Sequence, residues 1–361
     1  MKQIFVLFSL ILVAITSSAE VQYFRLGRGK VIAYEYILNQ QNGPTLILLP
    51  GVNRALEEGD ATVRQLARQG WNLLMPSFPS HPASIQGLNK DEAPYFMMST
   101  RTRVQDYAED IETLVDYLNI KQAIPVTLSY SSAVGAYLNP KKFPHLIETV
   151  PLGTALEATT ESLRQQAALT EGWMRMNPIM APVWIRQYRD LGYRTVWAKR
   201  VDDNLRADPE YYGPRPRVSE IKSGYVDIAR AVEDFDLTKW NFGEENRTRD
   251  FVFAGREEAT RMNNQVRALK SYMATGRPVR VVVVSSVGHV MPTESPAIYA
   301  TLLNLLSTQT RISTAQFAVV SPYSFTSVVW QDRTALDQWI EKTLKETEEN
   351  QNSSSKSASN K

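Results

Sequence analysis

The stretch that decides the fold is Val126-Thr127-Leu128-Ser129-Tyr130-Ser131-Ser132-Ala133-Val134-Gly135. Residues 124–128 are rich in apolar and β-branched side chains, which is typical of a short buried strand. Residues 132–138, directly after it, are small or apolar and favour a helix. A strand that turns straight into a helix holds the residue at the apex in a strained backbone conformation, with its side chain pushed into the open.

This strand, turn and helix resemble the nucleophile elbow of the α/β-hydrolase superfamily, whose motif is G-x-S-x-G. Small residues are needed two before and two after the nucleophile, because strand and helix nearly collide there. Ser131 fits, since Ser129 and Ala133 stand in the places of the two glycines. Ser132 in this role would put a tyrosine at a crowded position, and Ser129 would put a threonine and a second serine there. Ser131 is therefore the predicted nucleophile; the alternative is a helix start that Ser131 or Ser132 caps.

Residues 1–19 differ from the rest of the chain and predict a secretory signal peptide. Lys2 gives a minimal positive start, residues 4–15 are apolar apart from Ser9, and residues 17–19 are small. This pattern predicts cleavage before Glu20. The apolar run is short for a membrane span, and the alternative is an uncleaved N-terminal anchor.

The composition and net charge of the chain favour some classes of protein over others. The chain has 361 residues, of which 43% are hydrophobic and 22% charged, as in ordinary globular proteins. There are 40 Lys and Arg against 38 Asp and Glu, and cleavage removes only Lys2, so the mature net charge is +1. Such a charge predicts no nucleic-acid partner. Because Cys is absent, no disulfide can form, which suits a bacterial periplasmic or secreted enzyme.

Strands and helices alternate along most of the chain, which predicts a doubly wound, mostly parallel α/β sheet. A hairpin over residues 21–27 and 30–38 comes first. Apolar strands are then expected over residues 45–49, 71–75, 124–128, 147–152, 250–254 and 279–284. Helical patterns lie between them, over residues 61–69, 103–118, the stretch after 254 to about 274, and 295–306.

The alternation stops over residues 154–240, which are helical in pattern, rich in Trp and Met, and broken by prolines. We expect this segment to be a helical cap, inserted into a core of residues 20–153 and 241–307. Its Trp and Met side chains would suit an apolar acyl or aromatic substrate, although they are more typical of the cap's own core. Residues 308–345 form a C-terminal extension, with a strand-like segment over 316–330 and a helix over 334–345. Residues 346–361 are polar and are predicted to be disordered.

A serine nucleophile needs a base, and the chain has three histidines. His289 follows the most apolar strand in Ser285-Ser286-Val287-Gly288-His289, at the carboxyl end where sites collect in parallel sheets. The superfamily presents its catalytic histidine in this way, so the resemblance implies His289 as the base. His145 precedes a strand, at the wrong end of the sheet. His81 lies in a loop that resembles the superfamily's G-H-G turn, where a histidine is usually structural.

The base needs an acid to orient it, and the resemblance places that acid after the strand 250–254. In the superfamily's strand-Gly-x-x-Asp turn, the acid stands three residues after the glycine. Here Gly255 is followed by Arg256-Glu257-Glu258, so Glu258 is the predicted acid and Glu257 the alternative. Either carboxylate could instead lie in the first turn of the next helix, where the helix dipole favours acids. The order Ser131, Glu258, His289 matches the Ser-acid-His order of the superfamily.

Acyl transfer also needs N–H donors for the oxyanion of the tetrahedral intermediate. The resemblance implies the amide of Ser132, the residue after the predicted nucleophile, and the amide of Val52. Val52 lies in Pro50-Gly51-Val52-Asn53, which is similar to the superfamily's His-Gly-x turn with Pro in place of His.

Together these residues predict an exported hydrolase that cleaves an ester or amide through an acyl-Ser131 intermediate. No cofactor and no metal are expected, because no metal-ligand cluster or glycine-rich phosphate loop occurs in the sequence. The expected partner is a small-molecule or acyl-ester substrate, and the cap leaves room for transient contact with a membrane or lipid. A peptidase of the same fold is the second interpretation. The third is a non-catalytic binding protein, since the glycines and the acid depart from the usual motifs.

Overall fold

A computed structural model describes residues 20–27, 29–51, 56–57, 59–79, 81–89, 103–153, 231, 235–289, 291–309, 312–322 and 327–359. The predicted signal peptide lies outside these residues. So does the predicted cap, except for residue 231 and residues 235–240. Within the ranges described, no helix is both long and apolar enough to cross a bilayer.

Nine strands form one sheet. They are β1 (Gln22–Gly27), β2 (Lys30–Ile37), β3 (Thr45–Leu48), β4 (Asn72–Pro76), β5 (Ala123–Leu128), β6 (His145–Thr149), β7 (Thr248–Ala254), β8 (Val279–Val284) and β9 (Gln316–Val320). The central strands are buried on both faces, as their continuous apolar sequences require.

The strand order is β1-β2-β4-β3-β5-β6-β7-β8-β9. The hairpin β1–β2 is antiparallel and β2 runs antiparallel to β4, whereas every other neighbouring pair is parallel. The doubly wound, mostly parallel sheet predicted from the sequence is thus confirmed. Because β3 and β5 to β9 all run the same way, the loops that follow them meet at one end of the sheet.

Helices cover both faces of the sheet. They are α1 (Ala61–Arg68), α2 (Pro82–Gln86), α3 (Val104–Tyr117), α4 (Ser131–Tyr137), α5 (Ala259–Met273), α6 (Met291–Glu294), α7 (Pro296–Thr308) and α8 (Arg333–Ser359). The apolar sides of α3, α4, α5 and α8 belong to one core cluster, and those of α1, α6 and α7 to the other. Alternate strand residues supply the two clusters: Ile47 points into the first, and its neighbours Leu46 and Leu48 into the second.

The C-terminal extension adds β9 to the edge of the sheet, parallel to β8. Helix α8 then continues to Ser359, and the disorder predicted over residues 346–361 stays a prediction. Ion pairs four residues apart, Lys342–Glu346 at 3.8 Å and Lys345–Glu349 at 4.0 Å, lie along it and favour the helix.

The residue at which the chain leaves the core before the predicted cap lies next to the residue at which it returns. The amide of Leu237 donates to the carbonyl of Gly153 at 2.8 Å, so the two ends of the intervening segment lie side by side. Gly153 also packs directly on α5, where a Cβ atom would lie 2.4 Å from the backbone carbonyl carbon of Asn264.

Candidate active site

Ser129 stands at the apex of the turn between β5 and α4. Strand β5 ends at Leu128 and α4 begins at Ser131, so Ser129 is the first residue after the strand. Its φ is +54°, in the left-handed region that a residue other than glycine seldom adopts. Its amide donates to the carbonyl of Thr149 on β6 at 3.0 Å. The Oγ atom of Ser129 lies 2.8 Å from Nε2 of His289.

The turn is crowded, as expected. A glycine on helix α4 provides the space, rather than small residues two before and two after the apex. Thr127 stands two residues before Ser129, and its Cγ2 atom lies 2.6 Å from where a Cβ of Gly135 would be. Gly135 thus makes room for the threonine on the face where strand and helix meet. Ser131, two residues after Ser129, is fully buried, and its Oγ accepts a hydrogen bond from the amide of Leu128 at 2.7 Å.

This geometry corrects the sequence prediction for the nucleophile. The hydroxyl of Ser131 is bonded to the backbone of Leu128, whereas that of Ser129 contacts His289 directly. The prediction for the Ser132 amide is corrected too, because that N–H donates to the carbonyl of Ser129 at 3.0 Å and so forms part of the turn. The residue after the apex is Tyr130. Val52 lies outside the described residues.

His289 lies where the sequence predicted it, in the loop after β8. Two backbone hydrogen bonds hold this loop: the amide of Ser285 donates to the carbonyl of Val320 on β9 at 2.8 Å, and the amide of Arg256 donates to the carbonyl of Val287 at 2.9 Å. The Gly288 amide donates to the carboxylate of Glu294 at 2.8 Å. A Cβ at Gly288 would lie 2.8 Å from that carboxylate, so a side chain there would require Glu294 to move.

The carboxylate that holds His289 belongs to Glu257. Its Oε2 lies 2.5 Å from Nδ1 of His289, and its side chain is 2% exposed. Glu258, the predicted acid, is instead 53% exposed and caps helix α5, where its Oε1 accepts from the amide of Thr260 at 3.1 Å. The prediction is thus corrected by one residue, and Glu258 has the helix-terminal place that the sequence offered as an alternative.

The surroundings of Glu257 keep it ionised. Burial alone raises the pKa of a carboxyl, but here the charge of His289, its hydrogen bond and the charge of Arg261 together lower the pKa of Glu257 to about 2. An ionised carboxylate only accepts hydrogen bonds, so Nδ1 of His289 carries the proton that it donates to Glu257. In neutral imidazole the other nitrogen then lacks a proton, which makes Nε2 the acceptor for the hydroxyl of Ser129.

The other two histidines are also buried. His145 is the first residue of β6, at the amino ends of the parallel strands, and its Nε2 lies 2.6 Å from Oδ2 of Asp250. His81 packs beside Phe78, with ring centroids 5.3 Å apart. Among the described residues, no group of three or more His, Cys, Asp or Glu side chains is arranged to hold a metal ion.

The sequence prediction set Ser129 aside in favour of Ser131, and it gave Glu257 only as the alternative to Glu258. A usable signal for Ser129 was the end of the apolar strand pattern at Leu128, since the apex directly follows the last strand residue. Gly135, on the facing turn of the helix, was the sign that a threonine could fit at the crowded position. For Glu257 the sequence carries no comparable signal, because two adjacent glutamates follow the same turn.

Comparison with known proteins supports the fold through structure alone. No protein-family model matches the sequence, and no curated protein matches it either. A hydrolase from Pseudomonas aeruginosa PA01 has a similar structure, with a TM-score of 0.56 and 17% identity over 80% of this chain and 97% of its own. The esterase EaEST from Exiguobacterium antarcticum has a TM-score of 0.58 and 14% identity over 80% of this chain and 100% of its own.

An enol-lactonase from Burkholderia xenovorans LB400 also aligns with a TM-score of 0.58, at 13% identity over 80% of this chain and 100% of its own. At such identities the likeness concerns the fold. The protein therefore has the fold of the α/β-hydrolase superfamily.

Proposed function

We propose that the protein is a serine hydrolase that cleaves a carboxylic ester through an acyl-Ser129 intermediate. One observation carries this proposal: an unbroken chain of hydrogen bonds leads from Oγ of Ser129 through both ring nitrogens of His289 to the carboxylate of Glu257. The order of these residues along the chain, Ser-acid-His, is that of α/β-hydrolases, which supports the same conclusion.

Each residue of this cluster has a defined task in the proposed reaction. Nε2 of His289 accepts the hydroxyl proton as Oγ of Ser129 attacks the ester carbonyl carbon. The proton then passes to the leaving alkoxide, and the acyl group stays on Ser129. Water attacks this acyl-enzyme with His289 as base, which releases the acid and restores the hydroxyl.

Glu257 acts through His289. It fixes the imidazole in the tautomer with the proton on Nδ1, and it stabilises the imidazolium that forms during each attack. Its burial makes the interaction stronger than it would be in water. Arg261, whose guanidinium lies 3.7 Å from Glu257, helps to keep the carboxylate ionised.

The oxyanion of the tetrahedral intermediate needs two N–H donors. We assign the first to the amide of Tyr130, because it directly follows Ser129 at the start of α4. For the second we retain the amide of Val52, in the loop after β3, which lies next to β5 in the sheet.

Ester cleavage is the leading activity within this proposal, and peptide cleavage by the same cluster is second. The esterase and the enol-lactonase of similar fold are named for ester chemistry, which favours the first. p-Nitrophenyl esters of increasing acyl length, compared with aminoacyl p-nitroanilides, separate the two activities. Faster turnover of the anilides than of the esters would favour a peptidase over an esterase.

The test of the nucleophile is labelling with a fluorophosphonate, whose phosphorus is attacked by an activated serine as fluoride leaves. Wild type, Ser129→Ala and Ser131→Ala are labelled in parallel, and fragment-ion spectra locate the modified residue. We expect label on Ser129, its loss in Ser129→Ala and its retention in Ser131→Ala. Label on Ser131 would restore the original prediction, and a folded protein without label would favour the non-catalytic binding protein.

We also propose that the protein is exported, to the periplasm or the medium of a bacterial cell. The support is the pattern of residues 1–19, with one positive charge, an apolar run and small residues before Glu20. N-terminal sequencing of the protein from fractionated cells should give Glu20 as the first residue. A protein that starts at Met1 and stays with the membrane fraction would support the uncleaved anchor.

A further inference from the structure

We propose that Ser131 and Ser132 are positioning residues, whose hydroxyls fasten the turn bearing Ser129 to the ends of the two strands that flank β5. One hydroxyl reaches towards β3 and the other towards the segment after β6. The proposal rests on the proposed function, because it concerns how Ser129 is held for attack.

Ser131 connects the turn to the end of β3. Its Oγ accepts from the amide of Leu128 at 2.7 Å, and its hydroxyl proton can be shared between the carbonyls of Leu128 at 3.2 Å and Leu49 at 3.3 Å. Leu49 directly follows β3 and is itself bound to β5, since its amide donates to the carbonyl of Val126 at 2.9 Å. Ser131 therefore sets the distance between the turn and the loop that begins at Pro50.

This distance matters because the loop after β3 is the proposed source of the second oxyanion donor. Nucleophile and oxyanion donors must both lie about 3 Å from the reacting group. Ser131 is fully buried, so water cannot replace its hydroxyl without a rearrangement.

Ser132 connects the turn to the segment after β6. Its Oγ donates to the carbonyl of Ser129 at 2.7 Å and accepts from the amide of Leu152 at 2.7 Å. The amide of Ser132 also donates to the Ser129 carbonyl, at 3.0 Å. One residue thus holds the carbonyl of the proposed nucleophile with two donors and is held in turn by a neighbouring segment.

The strained backbone of Ser129 explains why two such contacts are useful. A left-handed φ in a serine persists only where the surroundings determine it. In the G-x-S-x-G motif the residue two after the nucleophile is glycine, which has no side chain to supply such a contact. Here Ser131 occupies that position, and its hydroxyl forms hydrogen bonds to Leu128, just before the turn, and to Leu49, at the end of β3.

Kinetics of single variants tests the inference, with Ser131→Ala, Ser131→Gly and Ser132→Ala beside wild type on p-nitrophenyl acetate. Ser307→Ala is the matched control, because Ser307 is buried on α7 and its hydroxyl has no hydrogen-bond partner among the described residues. We expect kcat to fall about 10-fold to 100-fold in the three test variants, with KM changed less than about twofold, because a displaced nucleophile lowers the rate of attack more than binding. The control should stay within about twofold of wild type in both constants.

Ser131→Gly is the decisive variant, since it restores the residue of the superfamily motif. Full kcat in Ser131→Gly would overturn the role of Ser131, and a rise in KM alone would contradict the role of either serine. If Ser131→Ala does not fold, as judged by circular dichroism, Ser131→Cys takes its place, because it keeps the size of the side chain and only weakens the hydrogen bonds.

Amide hydrogen exchange gives a readout that does not depend on activity. The amide of Leu128 should exchange faster in Ser131→Ala, and that of Leu152 in Ser132→Ala, each without a change at the other amide. If the wild type reacts with neither ester nor fluorophosphonate, the proposed function fails, while exchange still tests the contacts. Unchanged exchange at both amides would overturn the inference even in an active enzyme.

Discussion

Two histidine–carboxylate pairs lie at opposite ends of the same sheet. His289 and Glu257 are joined at 2.5 Å beyond the carboxyl ends of the strands, and His145 and Asp250 at 2.6 Å on β6 and β7 near the amino ends. Both histidines are largely buried, with side chains 11% and 7% exposed. Burial and a carboxylate partner are thus common to the two pairs.

The pairs differ in what surrounds them. Asp250 also forms an ion pair with Arg280, through Nη2 and through Nε at 2.9 Å, so its charge is balanced within the sheet. Nδ1 of His145 has no hydrogen-bond partner among the described residues. His289, by contrast, presents its second nitrogen to a hydroxyl on a strained turn. A histidine–carboxylate pair therefore becomes a candidate catalytic pair only when a nucleophile faces its second ring nitrogen.

The largest expected effect is the loss of that nucleophile. Ser129→Ala should lower kcat/KM for an ester at least about 10⁴-fold, because the attacking oxygen is gone, while its thermal stability stays close to that of wild type. Activity with nitrophenyl esters and a thermal melt measure the two quantities. Activity that survives in a folded Ser129→Ala would remove the distinction between the two pairs.

The next effect concerns the acid. Glu257→Gln should lower kcat about 10²-fold to 10⁴-fold, because an amide cannot hold His289 in the required tautomer or stabilise its charge. Glu258→Gln, one residue away, is the matched control and should stay within about twofold of wild type, since Glu258 is exposed, caps α5 and reaches Arg261 only at 4.0 Å. Equal losses in both variants, measured with the same ester, would contradict the assignment of Glu257.

The pair at the other end of the sheet should affect stability alone. Asp250→Asn leaves Arg280 buried without its counter-charge, so the free energy of unfolding should fall by about 3–5 kcal/mol. Urea unfolding measures this loss, and kcat per folded molecule should not change. Asp337→Asn, which removes an exposed ion pair with Arg333, is the control and should cost less than about 0.5 kcal/mol. A fall in kcat without a loss of stability would give the second pair a functional role.

The smallest effect is a pH dependence of stability. The pKa of Glu257 is lowered to about 2 in the folded protein, so the ionised carboxylate stabilises the fold at pH above the unfolded pKa of about 4.5. This contribution, about 2–3 kcal/mol, should be lost as pH falls from about 5 to 2. The free energy of unfolding of Glu257→Gln should therefore depend less on pH over that range than that of wild type. If the free energies of unfolding of the two proteins changed equally with pH, the coupling between Glu257 and His289 would be contradicted.

The sequence predicted the sheet, His289 and the loops that carry the site, because apolar strand patterns and the turns after them are strong signals. It chose Ser131 and Glu258, whereas the side chains that contact His289 are those of Ser129, two residues earlier, and Glu257, one residue earlier. Both errors have the same physical cause. The sequence located the ends of both strands correctly, at residues 128 and 254, so the errors lie in the turns that follow, where side-chain directions depend on contacts with distant residues.

Whether Thr127 could stand at the crowded position depended on Gly135, eight residues further along. The choice between Glu257 and Glu258 depended on the close pairing of two loops, in which the Gly255 amide donates to the carbonyl of Val284 at 2.8 Å. Such contacts between distant residues are not encoded in any local pattern. They become visible only once the strands are aligned.

The hydrogen bond between Gly153 and Leu237 has a consequence for how this protein can change over evolution. Since the chain leaves the core at Gly153 and returns to it beside Gly153 at Leu237, this junction fixes no particular number of residues between them. Each doubling of such a segment adds only about 0.6 kcal/mol to the cost of closing it. New sequence can therefore be gained, lost or exchanged at this junction while the sheet, the turn at Ser129 and the loop of His289 keep their arrangement.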